Sequence, residues 1–396
     1  MKADLPAKAD VIVVGAGIMG ASIGYQLAVG SDLRVLILDE RPPVGGVSGR
    51  TFGQIRQHYS NPLMVQMANR GFDVITNWSD RVRYGDPGYV RLGYLLLVVE
   101  AQLEALQRNV ELGAGLGVDT RFVGPDEISA IEPRLATDDL AGGAYEPDGG
   151  YIDVTKMVLS WLGGAQAHGA TVRSGVTVEA LSSAAGAVTG VETSHGRVDA
   201  PVVVVATGAW ATDLLYPAGV AAPIERRRLD MAYMRLPEGA RPIGSCVTDG
   251  NSNIVIRPDV GTEILVAAYP PEMPLVDDPL EAASAADEEA HAARAEAALA
   301  ERIPEFSAAS VTRTISGAYD ITPDFHPILG WAPEMAGLYL AVGFSGHGLK
   351  LSPAVGEMAA AAVLDHEPPL DPTPLRPTRF AEDDLMYLAY GPSARA

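Results

Sequence analysis

The sequence predicts an α/β protein: a doubly wound parallel sheet joined to an α+β part with a mainly antiparallel sheet. Three observations predict it. The first forty residues read strand, glycine turn, helix, strand; a second glycine-rich strand-to-helix segment lies near residue 345; and residues 225 to 270 alternate short apolar runs with turn residues.

Val11 to Val14 is a short apolar run ending on glycine, Ile18 to Val29 has helical spacing, and Arg34-Val-Leu-Ile-Leu-Asp39 is a second buried-strand run. Such a βαβ unit feeds a parallel sheet, because parallel neighbours need a crossover between them. Asn61 to Arg81 has helical spacing, Arg91 to Val99 is strand-like, and Glu100 to Leu116 is helical. Pro147-Asp-Gly-Gly150 is a turn, and Asp153 is a helix N-cap before Val154 to His168. A meander follows: Thr171 to Ala180, Val188 to Thr193, and Val198 to Ala206, ending on Ala206-Thr-Gly208. Pro279 to Arg302 reads as a solvated, alanine-rich helix. A strand at Leu338 to Val342 and a helix at about Pro353 to Leu364 flank the second glycine segment, and residues 367 to 396 read as a loosely packed tail.

Composition narrows the function. The 396 residues are 47% apolar, enough for a sizeable core, and carry a net charge of −21, which repels nucleic acid and anionic membranes. The one basic run, Arg226 to Arg228, reads as a solvated turn. A single cysteine, Cys246, excludes an internal disulfide and cysteine-rich metal centres, and no metal site is expected. The short polar start has no leader-like region and no stretch is long enough to span a bilayer, so a cytoplasmic location is expected.

Gly15-Ala-Gly17-Ile-Met-Gly20 lies between the first strand and helix. There the first glycine permits the turn, the second lets backbone approach a pyrophosphate, and the third lets helix and strand pack closely. The helix N-terminus offers unpaired N–H groups to phosphates. Asp39, nineteen residues on, can accept from a ribose 2′-hydroxyl, with Glu40 as the alternative. An acidic residue here disfavours NADP, and periodicity leaves NAD and FAD open. In the second segment, glycines 343, 346 and 348 let backbone pass close to a flat ligand. Lys350 is one of only four lysines among 29 basic residues, which points to a specific need for an ammonium.

Four ordered motifs, Gly15-Ala-Gly-Ile-Met-Gly20, Ala206-Thr-Gly-Ala-Trp210, Thr322-Pro-Asp-Phe-His-Pro-Ile-Leu-Gly330 and Gly343-Phe-Ser-Gly-His-Gly-Leu-Lys350, resemble the D-amino-acid oxidase/sarcosine oxidase superfamily, in particular sarcosine oxidase β-subunit-like members, from about residue 9 to 365. The resemblance implies a glutathione-reductase-like FAD-binding domain over residues 1–85, 146–222 and 308–380, a substrate domain over 86–145 and 223–307, and a tail over 381–396. It implies FAD contacts from Gly15, Gly17, Ile18, Met19, Gly20, Asp39 or Glu40, Ser48, Val176 (whose backbone would meet the adenine), Gly208, Gly343, Gly346, Gly348, Leu349 and Lys350. Arg56, in Gly49-Arg-Thr-Phe-Gly-Gln-Ile-Arg56-Gln-His-Tyr59, matches the arginine that grips a substrate carboxylate, with Lys350 as its partner cation. Tyr59, Tyr319 and His347 are candidates for orienting the amine.

No cysteine lies in Ser316-Gly-Ala-Tyr319 and no histidine near Phe52 or Gly53, so FAD should be non-covalent. No lysine lies between Lys156 and Lys350, where related oxidases carry an oxygen-activating lysine, so O2 and a quinone or protein acceptor both stand as electron acceptors. The implied reaction is oxidation of an N-methyl or secondary amino acid such as sarcosine to an imine. A D-amino-acid or glycine oxidase or dehydrogenase, and a flavin-binding assembly protein, are the alternatives. Oligomeric state is left open.

Overall fold

The computed structural model of the chain describes residues 5–259 and 261–390. Its six-stranded sheet runs in the order Ile328–Trp331, Leu338–Val342, Val202–Val205, Val11–Val14, Val35–Asp39, Thr171–Ser174. All its pairings are parallel except that of the first two strands. The first strand is wholly buried, as befits a central parallel strand covered on both faces. The first helix, Ile18–Gly30, and the last, Gly348–Val363, pack on one face of this sheet with Val154–Ala167.

An eight-stranded sheet carries the other half of the site. Its order is Ser310–Ile321, Glu225–Arg235, Glu263–Ala268, Ile254–Pro258, Cys246–Asp249, Tyr94–Val98, Gly142–Glu146, Arg121–Val123, antiparallel but for Cys246–Asp249 against Tyr94–Val98. Ser310–Ile321 falls by sequence in the nucleotide-binding part, yet it pairs along its length with Glu225–Arg235. That strand is shared by function, since its last residues reach the nucleotide cavity.

Most expected elements are present, with instructive shifts. Asp153 caps its helix by accepting from the Lys156 N–H at 3.1 Å. The expected strand Arg91 to Val99 breaks at Gly93, whose φ is +84°, and Thr171 to Ala180 breaks at Gly175, at +76°. Val198 to Ala206 divides into Gly196–Asp199 and Val202–Val205 around Pro201, which has no N–H to give a ladder. Arg226 to Arg228 is no solvated turn. It lies in the strand Glu225–Arg235, and its guanidinium groups pair with Asp213, Glu225, Glu272, Asp230 and Asp287.

The alanine-rich helix, Ala285–Arg302, starts on a capping box at Ser284 and Asp287. It is not solvated all round: His291, Ala295, Leu299 and Arg302 are buried. The last helix begins at Gly348, five residues before the position expected from Pro353. A proline inside a helix removes one N–H. Here the Ser352 hydroxyl donates to the Leu349 carbonyl at 2.8 Å and satisfies the acceptor that Pro353 leaves orphaned.

Nor is the C-terminal segment loose over residues 367–390; residues 391–396 of the expected tail lie outside the described residues. Arg379 is fully buried and grips Asp324 through two bonds of 2.8 and 2.9 Å, while its second terminal nitrogen also reaches the His326 carbonyl. The Met386 N–H donates to Asp324, and the Tyr390 hydroxyl meets His58 at 2.8 Å. Removing one partner of a fully buried pair strands the other charge at a cost of about 3–5 kcal/mol. The substitution R379M therefore lowers the unfolding free energy by about that much, read from urea denaturation of the FAD-loaded chain.

Candidate active site

The chain folds two adjoining cavities. The larger, about 460 Å³, runs from the first glycine turn past Asp39 and Val176 to Tyr319, Gly346 and Leu349. The smaller, about 240 Å³, contains Arg56 and Lys350. The two share Thr51, Phe52, Tyr319, Gly346 and Leu349, so a ligand lying in the first presents a face to the second.

The glycines of the first turn are dictated by space. Gly15 has φ +102°, and a Cβ there would collide with the Ala206 carbonyl; one on Gly20 would collide with the Gly15 carbonyl. Gly17 faces the cavity instead, where a Cβ would meet the Ser48 hydroxyl at 2.9 Å. Gly17 gives the first helix no side-chain cap, so the N-terminal amides of that helix stay open toward the cavity, apart from that of Ile18, which donates to Ser48. Met19 and Gly208 also line it. Asp39 is positioned by accepting from the Ala16 and Arg41 amides at 2.7 and 2.8 Å, and each of its oxygens keeps a lone pair for a hydroxyl. Glu40 is exposed at the rim and pairs with Arg41. Val176 spends its N–H on the Asp39 carbonyl. These features fit a dinucleotide: amides for its phosphates, a carboxylate for its ribose, and a buried slot for a flat ring.

The late glycine segment is cradled by Asp320, a residue the sequence reading did not single out. Its Oδ2 accepts from the Gly343 and Phe344 amides, and the Ser345 amide bonds its carbonyl. Burial pushes this carboxyl up to about 6, against the pull of those amides. Amides 343 to 345 are thus committed to Asp320, and Gly343 does not line the cavity; Gly346, Gly348 and Leu349 do. A Cβ on Gly346, φ +82°, would lie 2.7 Å from the Tyr319 ring. Other lining residues missed from sequence are Trp210 and Arg41, whose guanidinium stands 4.4 Å over the Trp210 ring.

Arg56 and Lys350 converge on the second cavity although 294 positions separate them. Both are 7% exposed. The Arg56 guanidinium donates to the His58 carbonyl and stacks 4.5 Å over the Tyr59 ring, with the Lys350 ammonium 5.9 Å from that ring's centre. Burial, then the neighbouring Arg56, holds the Lys350 amine well below the usual lysine range, while Glu146 opposes that shift. Tyr319 stands on the shared wall, its hydroxyl 3.2 Å from that of Tyr269. Tyr59 and His347 line neither cavity. Both are fully buried, with rings 5.5 Å apart behind Arg56 and Lys350.

Two further polar groups complete the anchor. Gln54 lines the small cavity with its Nε2 buried and without a hydrogen-bond partner. Glu146, at the end of Gly142–Glu146, accepts from the Gln57 amide at 2.8 Å and so fixes the chain next to Arg56. Its other oxygen is buried without a hydrogen-bond partner, and burial raises this carboxyl to about 7, despite the Gln57 amide, Arg56 and Lys350. Among the described residues, no group of three His, Cys, Asp or Glu side chains could hold a metal ion, and no helix is long and apolar enough to cross a membrane.

Residues 10–362 match the model of a protein family described as FAD dependent oxidoreductase, DAO. The chain belongs to the DAO family. FAD is the cofactor of this family, and the large cavity fits it. This DAO-family chain is 28% identical over 378 residues to glycine oxidase of Geobacillus kaustophilus (strain HTA426), covering 93% of itself and 97% of that protein. It is 26% identical to the mitochondrial sarcosine dehydrogenase of Homo sapiens over 378 residues, 93% of itself but 41% of that protein, so it spans less than half of that relative's length. The crystal structure of L-proline dehydrogenase from P.horikoshii superposes with a TM-score of 0.87 at 24% identity, covering 96% of this chain and all of that one, and shows the same fold.

The raised carboxyl of Glu146 has a consequence for stability. A carboxyl whose folded value lies above its unfolded value costs stability as pH rises from the unfolded value through the folded one. Between pH 5 and 8 the FAD-free chain should lose a contribution that E146Q, which keeps an acceptor for the Gln57 amide, does not lose. Urea midpoints at both pH values should show E146Q gaining on the unmodified chain as pH rises; a constant difference would contradict the assignment.

Proposed function

We propose that the chain oxidises a small amino acid with a secondary amine, N-methylated or cyclic, by removing a hydride from a carbon that bears the nitrogen. The observation that carries this reading is the pair of cations, Arg56 and Lys350, held in a buried cavity that opens directly onto the nucleotide cavity. The glycine turn, Asp39 and the late glycine segment would hold FAD non-covalently, and it would supply the hydride acceptor, with O2 or another acceptor as the final oxidant.

The chain's own residues do the rest. Arg56 offers a planar fork to the substrate carboxylate, and Lys350 a point charge. Each charge-assisted bond contributes about 1.5–3 kcal/mol. Tyr59 and His347, packed behind, hold both cations in place. The Tyr319 and Tyr269 hydroxyls, 3.2 Å apart on the small cavity, are the groups that would orient the amine. Only the neutral amine can release hydride, so the substrate ammonium first gives its proton to solvent, and the imine product is hydrolysed by water. A primary amino acid is the second reading, favoured by the match along nearly the whole length of glycine oxidase.

Anaerobic mixing of the FAD-loaded chain with sarcosine, proline, glycine and D-alanine tests the proposal. Bleaching of the flavin by sarcosine or proline supports it; bleaching only by glycine or D-alanine selects the second reading. No bleaching by any amine would favour a flavin-binding assembly role.

Lys350 gives the anchor a pH signature. Its lowered value means that the ammonium is lost at a lower pH than for an ordinary lysine, and Lys350 adds its share to the grip on a carboxylate only while that proton is present. Affinity for acetate, read from the perturbed flavin spectrum, should therefore fall as pH rises. K350M should bind acetate about ten-fold or more weakly at low pH and lose most of that pH dependence. R56M should weaken binding at every pH.

A further inference from the structure

The small cavity is larger than its anchors require. Its volume of about 240 Å³ would hold roughly eight waters at about 30 Å³ each, whereas sarcosine adds only one methyl group to glycine. Away from Arg56 and Lys350 the lining sets the apolar Phe52, Ile254, Val255, Met273 and Phe325 beside polar groups from Gln54, Thr248, Asn253 and Tyr269. The remaining charged residue on it, Asp249, is held by Arg302 Nε on one oxygen and the Asn251 amide on the other, both at 2.8 Å, and carries the wrong sign for a second carboxylate. The unpartnered donor of Gln54 is neutral. Among the described residues, no cation beyond Arg56 and Lys350 lines this cavity to pair with a second carboxylate.

One wall is built under strain. Phe325 has φ +56°, in the left-handed region where a bulky residue is a genuine outlier. The turn that forces it there is tied on every side. The Phe325 amide donates to the Thr322 carbonyl, the Thr322 hydroxyl to the His326 carbonyl at 2.7 Å, and the His326 amide to Asp324. Arg379 then clamps both Asp324 oxygens and the His326 carbonyl. Strain of this kind persists only where the surroundings over-determine it, and it gathers at ligand clamps. A glycine would satisfy the backbone at no such cost, so the phenyl ring itself is what the turn exists to present.

We propose that the cavity seats an apolar side chain or ring of the substrate, of about leucine to phenylalanine size, against Phe325, and that Phe325 determines this preference. This rests on the reading that the cavity binds an amino acid by its carboxylate. A hydrophobic subsite gains at most about 10- to 200-fold per methylene it can seat. A side chain that fills the cavity should therefore outdo sarcosine clearly, and a second carboxylate should be rejected.

Two measurements on the FAD-loaded chain test it. In the first, kcat/KM for flavin reduction is compared among sarcosine, N-methylleucine, N-methylphenylalanine and N-methylaspartate, each as both enantiomers where they exist. The expected order puts N-methylleucine or N-methylphenylalanine about ten-fold or more above sarcosine, and N-methylaspartate below it. In F325G, whose backbone glycine accommodates without strain, the advantage over sarcosine should shrink by about ten-fold. The second measurement needs no turnover and no variant: dissociation constants of acetate, 4-methylpentanoate, 3-phenylpropanoate and succinate, read from the flavin spectrum. The apolar acids should bind at least about ten-fold more tightly than acetate, and succinate no better than acetate. Equal use of sarcosine and N-methylleucine together with equal binding of acetate and 4-methylpentanoate overturns the inference, as does a preference for N-methylaspartate or succinate. If no amine reduces the flavin while 4-methylpentanoate still binds more tightly than acetate, the oxidation reading falls and the apolar subsite stands.

Discussion

Two helix crossings with no room for a Cβ decide where Lys350 stands. The last helix meets Pro62–Thr76 at Gly71, where a Cβ would overlap the Lys350 carbonyl, and meets the first helix at Gly356, where one would overlap the Ser22 hydroxyl. Ser22 also donates to the Ser352 carbonyl at 2.7 Å. Backbone contact at both crossings leaves the last helix little freedom to slide or roll. Lys350, in its first turn, is therefore delivered to a fixed point beside Arg56, and the glycine segment just before it to a fixed height above the first helix.

The electrostatics follow from that placement. Two buried cations would repel each other and resist desolvation, and the chain offsets this with Glu146, the Tyr59 ring and the proton-labile amine of Lys350. On the proposed function, a substrate carboxylate would add the negative charge that lets both cations stay charged side by side. Asp320 performs a related task on the other side of the ring slot, where it takes up loop amides that would otherwise point nowhere.

Features written in neighbouring residues were legible in the sequence. The glycine turn with Asp39, the cap at Asp153 and the late glycine segment each follow from local spacing, and Lys350 stood out because lysine is scarce. Those that depend on chain segments meeting from afar were not. Glu146 matters because residue 57 folds against it, and Asp320 because the loop at 343 does. Pro353 pointed to the wrong helix start because a serine hydroxyl replaced the missing donor. Tyr59 and His347 belong to the right neighbourhood, but adjacency in sequence could not tell the cavity wall from the layer behind it.

The salt link between Arg379 and Asp324 carries a different kind of implication. It ties the shape of a ligand-facing turn to a segment some fifty residues further along, which itself never touches either cavity. Drift in the closing stretch of the chain could thereby retune which molecules are accepted while every residue around the ligand stays the same. In a lineage of such proteins, diversification of diet would then be written partly in a region that a comparison of active sites alone would discard as trim.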